Sequence, residues 1–224
     1  MIVSASTNNF GKIWLAGCVL ALFCFQTTIS HAAPLAPGSS IAAPSQPDPT
    51  GGSLSLLNTI SSPFSTTSFN GTLISSVYTS DTSNPFGLAD LTFTYELFIT
   101  NGPDSASAVS IGPFTGFQTD VSYQIPSSVG PGLPPSTISR GPTGSQAVKF
   151  DFTGNGYLPP GTNSLLLVVQ TDAKAWTFGN ATVLDMNGSP NISALTPTTV
   201  PEPADIGLVA LALGACAAYR RRKR

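Results

Sequence analysis

Cysteine and histidine are missing from most of this chain. The 224 residues include three cysteines and one histidine, and all four lie near an end, at Cys18, Cys24, His31 and Cys216. Residues 34–199 therefore contain no thiol and no imidazole. These absences exclude disulfide bonds, zinc sites with nitrogen or sulfur ligands, and catalysis by a nucleophile paired with histidine from that region.

Charge is also scarce, because only 9% of the residues are charged, whereas about 25% is usual for a globular protein. Within residues 34–199, nine acidic residues face only three basic ones, Arg140, Lys149 and Lys174. No basic patch exists there, which argues against nucleic acid as a partner. The 21 glycines and 20 prolines disfavour helices and favour turns and extended strands.

Residues 1–32 have the pattern of a secretory signal peptide. Lys12 precedes an apolar run over residues 13–25, and Ser30 and Ala32 place small residues at the −3 and −1 positions of a cleavage site. Cleavage by signal peptidase after Ala32 is favoured, since cleavage one residue later would leave proline first. Cys18 follows Leu-Ala-Gly, an alternative lipoprotein signal, but most of the apolar run follows this cysteine instead of preceding it.

Residues 33–52 are rich in Pro, Ser, Ala and Gly, a composition that predicts a flexible linker. Residues 53–196 then break into short runs bounded by turn residues. Phe93, Tyr95 and Leu97 alternate with polar residues, which is typical of a strand. Strands are predicted at residues 71–78, 91–100, 106–111, 119–125, 136–139, 147–152, 164–171, 175–184 and 192–195. This spacing predicts an all-β domain, an antiparallel β-sandwich of jelly-roll or immunoglobulin-like type.

Several side chains of this domain are candidates for a functional site. Asp120 with Asp151, or Asp172 with Asp185, could form the carboxylate pair of a glycosidase, and Asp81, Asp90 and Asp104 could bind calcium. Aromatic residues could form a sugar-stacking face, namely Phe114, Phe117, Trp176 and Phe178. Solvated surface acids and a packed aromatic core explain these residues better. We therefore predict no catalytic residue, no metal and no cofactor.

The last 25 residues combine three features. Pro201, Glu202 and Pro203 form a strip that its two prolines hold extended. Residues 206–219 carry no formal charge and as a helix would span about 21 Å, short of the roughly 30 Å of a bilayer core. Five cations end the chain: Arg220, Arg221, Arg222, Lys223 and Arg224. They would retain this end in the cytoplasm by the positive-inside rule.

This arrangement over residues 200–224 resembles the PEP-CTERM sorting signal of Gram-negative bacteria. The resemblance implies recognition of Pro201, Glu202 and Pro203 by exosortase, an integral-membrane cysteine protease, and a short transmembrane helix that anchors the protein transiently. It implies an exported protein that is delivered to the cell surface or the extracellular matrix. The alternative interpretation of the segment is an ordinary C-terminal membrane anchor.

The resulting hypothesis is a non-enzymatic structural or adhesive protein of the envelope or biofilm matrix. Its partners would be signal peptidase, exosortase and the membrane, with exopolysaccharide as a further candidate. The alternative function is a carbohydrate-binding module or a hydrolase that acts on exopolysaccharide.

Overall fold

The structure is a computed structural model that describes residues 32–46, 54–124, 132–144, 146–185 and 189–200. These residues form strands, loops and one 3-10 turn, Thr153–Asn155, with no α-helix among them. The strands are β1 (Ala33–Pro34), β2 (Ser40–Ala42), β3 (Ser45–Gln46), β4 (Ser55–Ser65), β5 (Asn70–Thr79), β6 (Thr92–Asn101), β7 (Ala108–Gly112), β8 (Thr119–Gln124), β9 (Thr137–Arg140), β10 (Val148–Asp151), β11 (Thr162–Asn163), β12 (Leu166–Thr171), β13 (Ala175–Leu184) and β14 (Asn191–Thr198).

The strands form two sheets that enclose one apolar core. Sheet A has the order β1-β8-β12-β6-β5-β4, with β11 beside β6 and β3 beside β8. Sheet B has the order β14-β13-β7-β10-β9-β2. All recorded strand pairs are antiparallel except β3 with β8. The prediction of an all-β, sandwich-like architecture built from antiparallel strands is confirmed.

Alternation along the strands places the core. Phe93, Tyr95 and Leu97 of β6 are fully buried, and Phe150 of β10 meets them in the same cluster from sheet B. Burial of such large side chains is the main driving force for joining the two sheets, at about 1.5–3 kcal/mol for each one. All nine predicted strands are present, with ends shifted by up to three residues.

The longest strand, β4, was not predicted. Its apolar residues do not alternate regularly, because Leu56 and Leu57 are adjacent and the register with β5 shifts between Leu56 and Asn58. Pro63, which cannot donate a backbone hydrogen bond, lies within it. Proline is tolerated in edge strands, where an N–H can point away from the sheet. The residue pattern of β4 therefore does not predict a strand, and only its pairing with β5 identifies it.

The N-terminal segment differs from the predicted flexible linker. Its residues 33–46 form β1 beside β8, β2 beside β9 and β3 beside β8, so the segment passes from sheet A to sheet B and back. Leu35 between them is only 1% exposed. The segment has few large apolar residues, but edge pairing uses backbone groups, and Leu35 and Ile41 are sufficient to pack it against the core. Residues 47–53 lie outside the described part of the chain.

At the end of sheet B away from β2, the edge of β14 that pairs with no strand faces side chains of sheet A. The Tyr95 hydroxyl donates to the Leu195 carbonyl at 2.7 Å, and the Leu195 N–H donates to Ser75 Oγ at 2.9 Å. Two side chains of sheet A thus satisfy the backbone of a sheet B edge. The two sheets are joined there by hydrogen bonds as well as by apolar packing.

In the described part of the chain, no helix has the length and hydropathy needed to cross a membrane. The predicted signal peptide, apart from Ala32, and the predicted C-terminal helix over 206–219 lie outside the described residues.

Candidate functional site

The residues predicted to direct export and sorting lie at the two ends of the β-domain. Ala32, the predicted cleavage position, is the first described residue. The other predicted residues lie outside the described part of the chain: Pro201, Glu202, Pro203, Arg220, Arg221, Arg222, Lys223 and Arg224. What the structure defines is the surroundings of each end of the domain.

The N-terminal boundary is built into sheet A. Ala32 is only 6% exposed, and Ala33 and Pro34 pair with Val121 and Asp120 of β8. The Leu35 N–H donates to the Thr119 carbonyl at 2.9 Å. The bond between Ala32 and Ala33 therefore joins a buried residue to a strand that is paired with β8 in the folded domain.

The Arg140 side chain connects the N-terminal segment to the rest of the domain by hydrogen bonds. Its Nη1 donates to the Leu35 carbonyl at 3.2 Å and to Thr119 Oγ1 at 3.0 Å. Its Nη2 donates to the carbonyls of Phe114 and Phe117, both at 2.8 Å, and to Gln146 Oε1 at 2.6 Å. One guanidinium thus connects the N-terminal segment, β8 and the loop after β7.

The charge of Arg140 is held in an unusual environment. The side chain is buried and its five acceptors are neutral. Desolvation by burial lowers the pKa of Arg140, and the field of Asp172 acts in the opposite direction. The Asp172 carboxylate in turn accepts a hydrogen bond from the Gln118 N–H at 2.9 Å. Sequence reasoning missed this role, although Arg140 is the only arginine between residues 34 and 199.

The C-terminal boundary of the domain is more exposed to solvent than the N-terminal one. The last strand ends at Thr198, which pairs with Ala175 of β13. Thr199 and Val200 follow it, and Val200 is 56% exposed. The chain therefore leaves the domain at an accessible point directly before Pro201, whereas it enters the domain at a buried one.

The structure does not bring the proposed carboxylate pairs together within one sheet. Asp120 lies in β8 of sheet A, and Asp151 ends β10 of sheet B. Asp172 directly follows β12 of sheet A, and Asp185 directly follows β13 of sheet B. Asp151 is instead bound by its neighbours: burial alone would raise its pKa, but hydrogen bonds from Lys149 and Thr153 outweigh this and lower it.

Two of the three acids proposed as calcium ligands, Asp81 and Asp90, have partners within the domain. Asp81 Oδ2 accepts hydrogen bonds from Thr92 Oγ1 at 2.6 Å and Gln170 Nε2 at 2.8 Å, and its Oδ1 accepts one from the Ser83 N–H at 2.8 Å. Asp90 forms an ion pair with Lys174 at 2.5 Å. Among the described residues, no group of three or more metal-ligating side chains occurs.

The four aromatic residues do not form one sugar-binding face. Phe114 is buried and packs edge-on against Phe93. Trp176 is partly buried against the core and packs edge-on against Phe178 at a centroid distance of 6.0 Å. Only Phe178 of this pair is largely exposed, at 63%.

Comparison of the chain with models of protein families, with curated proteins and with solved structures gives no significant match.

Proposed function

We propose that this protein is an exported structural or adhesive component of the cell surface or extracellular matrix, and that exosortase processes its C-terminal segment. The observation that carries the proposal is the three-part terminus: Pro201-Glu202-Pro203, an uncharged run of 14 residues, and five terminal cations. A span of about 21 Å is too short for a durable anchor. The cations compensate by holding the end in the cytoplasm during processing.

The two boundaries of the domain support an order of events. A protease needs an accessible, extended substrate, whereas in the folded domain Ala32 is buried and Ala33 is paired with β8. Signal peptidase must therefore cut before β1 pairs with β8, while the chain is still being exported. The exposed Val200, in contrast, leaves the sorting signal accessible after the domain has folded. Export and folding would thus precede sorting.

The proposal includes transient anchoring in the inner membrane with the C-terminus in the cytoplasm and the β-domain outside. Signal peptidase and exosortase are its proposed processing partners, and exopolysaccharide is the candidate ligand in the matrix. Within the all-β class, a jelly-roll or immunoglobulin-like sandwich is our proposal for the finer fold type.

The sorting proposal is tested by replacing Pro201 and Pro203 with alanine in a host that contains exosortase. The matched control carries Thr199→Ala and Ala204→Ser, which change the same strip but keep both prolines. We expect the unprocessed chain to remain in the membrane for the proline variant only. Intact-mass measurement of the released protein gives both termini. An unchanged mass and location in the proline variant would contradict recognition by exosortase and favour an ordinary anchor.

A further inference from the structure

The strand β4 is the long open edge of this fold. Among the strands at sheet edges, β1, β2 and β3 have two or three residues, and in β14 the backbone of Leu195 is bonded to the side chains of Tyr95 and Ser75. Within the described part of the chain, the 11-residue β4 forms strand pairs with β5 alone, while β14 of sheet B lies close to both strands. A long unpaired edge offers backbone donors and acceptors to another strand, which is why proteins usually protect such edges.

The backbone of β4 indicates which groups point outward. The Thr59 N–H donates to its neighbour, Asn58 Oδ1, at 2.9 Å, so it is directed away from β5. Residues two apart in a strand share an orientation, so the N–H of Ser61 points the same way and Pro63 occupies the next outward position. The register shift at Leu56/Asn58 and Pro63 bracket a regular run over residues 58–62.

The side chains of β4 indicate that its apolar surface is incompletely covered. Ile60 packs against the core but is only partly buried, and Leu56 and Leu57 are 52% and 46% exposed. No charged residue occurs between residues 49 and 80, a range that includes all of β4 and β5. The charges that normally discourage edge-to-edge pairing are therefore missing here.

We propose that two copies of this protein associate through β4, in an antiparallel pairing that joins their sheets A across a two-fold axis. A second copy is the partner that fits, because the uncharged edge meets no like-charge repulsion from itself. The short or side-chain-bonded edges elsewhere leave β4 as the strand that each copy can offer. The contact is therefore isologous, and it closes as a dimer instead of continuing into a fibre.

The bracketed run determines the register. With Ile60 on the two-fold axis, Thr59 of one copy faces Ser61 of the other, and their outward backbone groups form hydrogen bonds. The bond from Thr59 N–H to Asn58 Oδ1 is then exchanged for one to the partner's backbone. The side chain of Asn58 thus competes with the partner strand for the Thr59 N–H.

The test measures the molar mass of the protein, purified as it leaves the expressing cell, by light scattering over a range of concentrations. We expect a dimer for the wild type and a dissociation constant raised about tenfold or more in Ser61→Lys, because the two added cations lie diagonally across the pairing, on the same face of the joined sheet. The matched control is Ser193→Lys, an exposed serine in β14, which should remain dimeric. Asn58→Ala should strengthen the dimer, since it removes the competing acceptor.

A covalent measurement remains informative if Ser61→Lys does not fold. With Cys216 also replaced by serine, mild oxidation should link two copies of Ile60→Cys, while Ser193→Cys should stay unlinked, since residues 34–199 contain no other thiol. A wild type that is monomeric at every concentration would overturn the proposal. The same holds if the two lysine variants behave alike, or if Ile60→Cys cross-links no better than Ser193→Cys.

Discussion

Replacement of Arg140 by methionine tests how much of the fold depends on one buried guanidinium. Methionine is a flexible apolar residue that can fill the space of the arginine stem, but it donates no hydrogen bond. Five contacts are lost, to Leu35, Thr119, Phe114, Phe117 and Gln146. The cost depends on which acceptors then lack a donor.

Two of the backbone acceptors keep a second hydrogen-bond donor after the replacement. The Leu35 carbonyl keeps the Thr119 hydroxyl at 2.9 Å, and the Phe114 carbonyl keeps the Phe117 N–H at 3.3 Å. The Phe117 carbonyl and Gln146 Oε1 lose their hydrogen bonds from Arg140 Nη2, and no other donor to them is observed among the described residues. At about 1–3 kcal/mol for each buried acceptor left without a partner, the expected loss is about 2–6 kcal/mol. This is a large part of the 5–15 kcal/mol typical of a whole domain.

The assay is equilibrium unfolding by urea, followed by the fluorescence of Trp176, together with thermal melting. A loss of this size lowers Tm by about 5–20 °C in a domain of this length. Lys149→Met is the matched control. It removes a cation whose side chain is 39% exposed and pairs with Asp151, so its effect should stay below about 1 kcal/mol. If Arg140→Met were as stable as this control, relief from burying a charge would equal the lost hydrogen bonds, and our account of Arg140 would be refuted.

Three further predictions concern the core of sheet A. Tyr95→Phe removes the donor to the Leu195 carbonyl and should cost about 1–3 kcal/mol in urea unfolding. Burial raises the pKa of Tyr95 well above its ordinary value near 10. As the pH rises, the tyrosine therefore ionises in the unfolded chain before it does in the folded domain. The free energy of unfolding should stay unchanged below about pH 10 and then fall by up to about 1.4 kcal/mol per pH unit. Gly71→Ala should cost about 3 kcal/mol, because its methyl group would meet the Phe98 carbonyl and the Phe64 ring.

Each of these predictions has a control. Tyr157→Phe changes a tyrosine that is 40% exposed and should leave stability nearly unchanged. The alkaline loss attributed to Tyr95 should disappear in Tyr95→Phe; an identical pH profile in that variant would assign the loss to other groups. Gly116→Ala meets no atom within 4 Å and should cost about 1 kcal/mol from its positive φ alone. A Gly71→Ala variant no weaker than this one would mean that β5 and β6 adjust without strain.

Features that depend on neighbouring residues could be predicted. The alternation of Phe93, Tyr95 and Leu97 identifies β6, because successive side chains of a strand point to opposite faces. The proposed signals at both ends of the chain are likewise short motifs that can be recognised without the fold. Their residues beyond Ala32 lie outside the described part of the chain, so these assignments remain predictions.

Features that depend on partners distant in the chain could not be predicted. Arg140 bonds to Leu35, 105 residues away, and Tyr95 to Leu195, 100 residues away. Alternation predicts that Tyr95 faces the core, but the surrounding sequence does not identify the partner of either residue, since these contacts form only when the two sheets meet.

The sequence by itself determined that this chain is built of strands, because alternation and turn residues act locally, and it carries the terminal motifs on which the sorting proposal depends. Only the tertiary structure decided which strand edges are covered. That outcome depends on strand order: residues 33–46 are drawn to one side of the domain and β14 is turned inward on the other. The same order leaves β4 at the open edge of sheet A, although its own residues predict no strand.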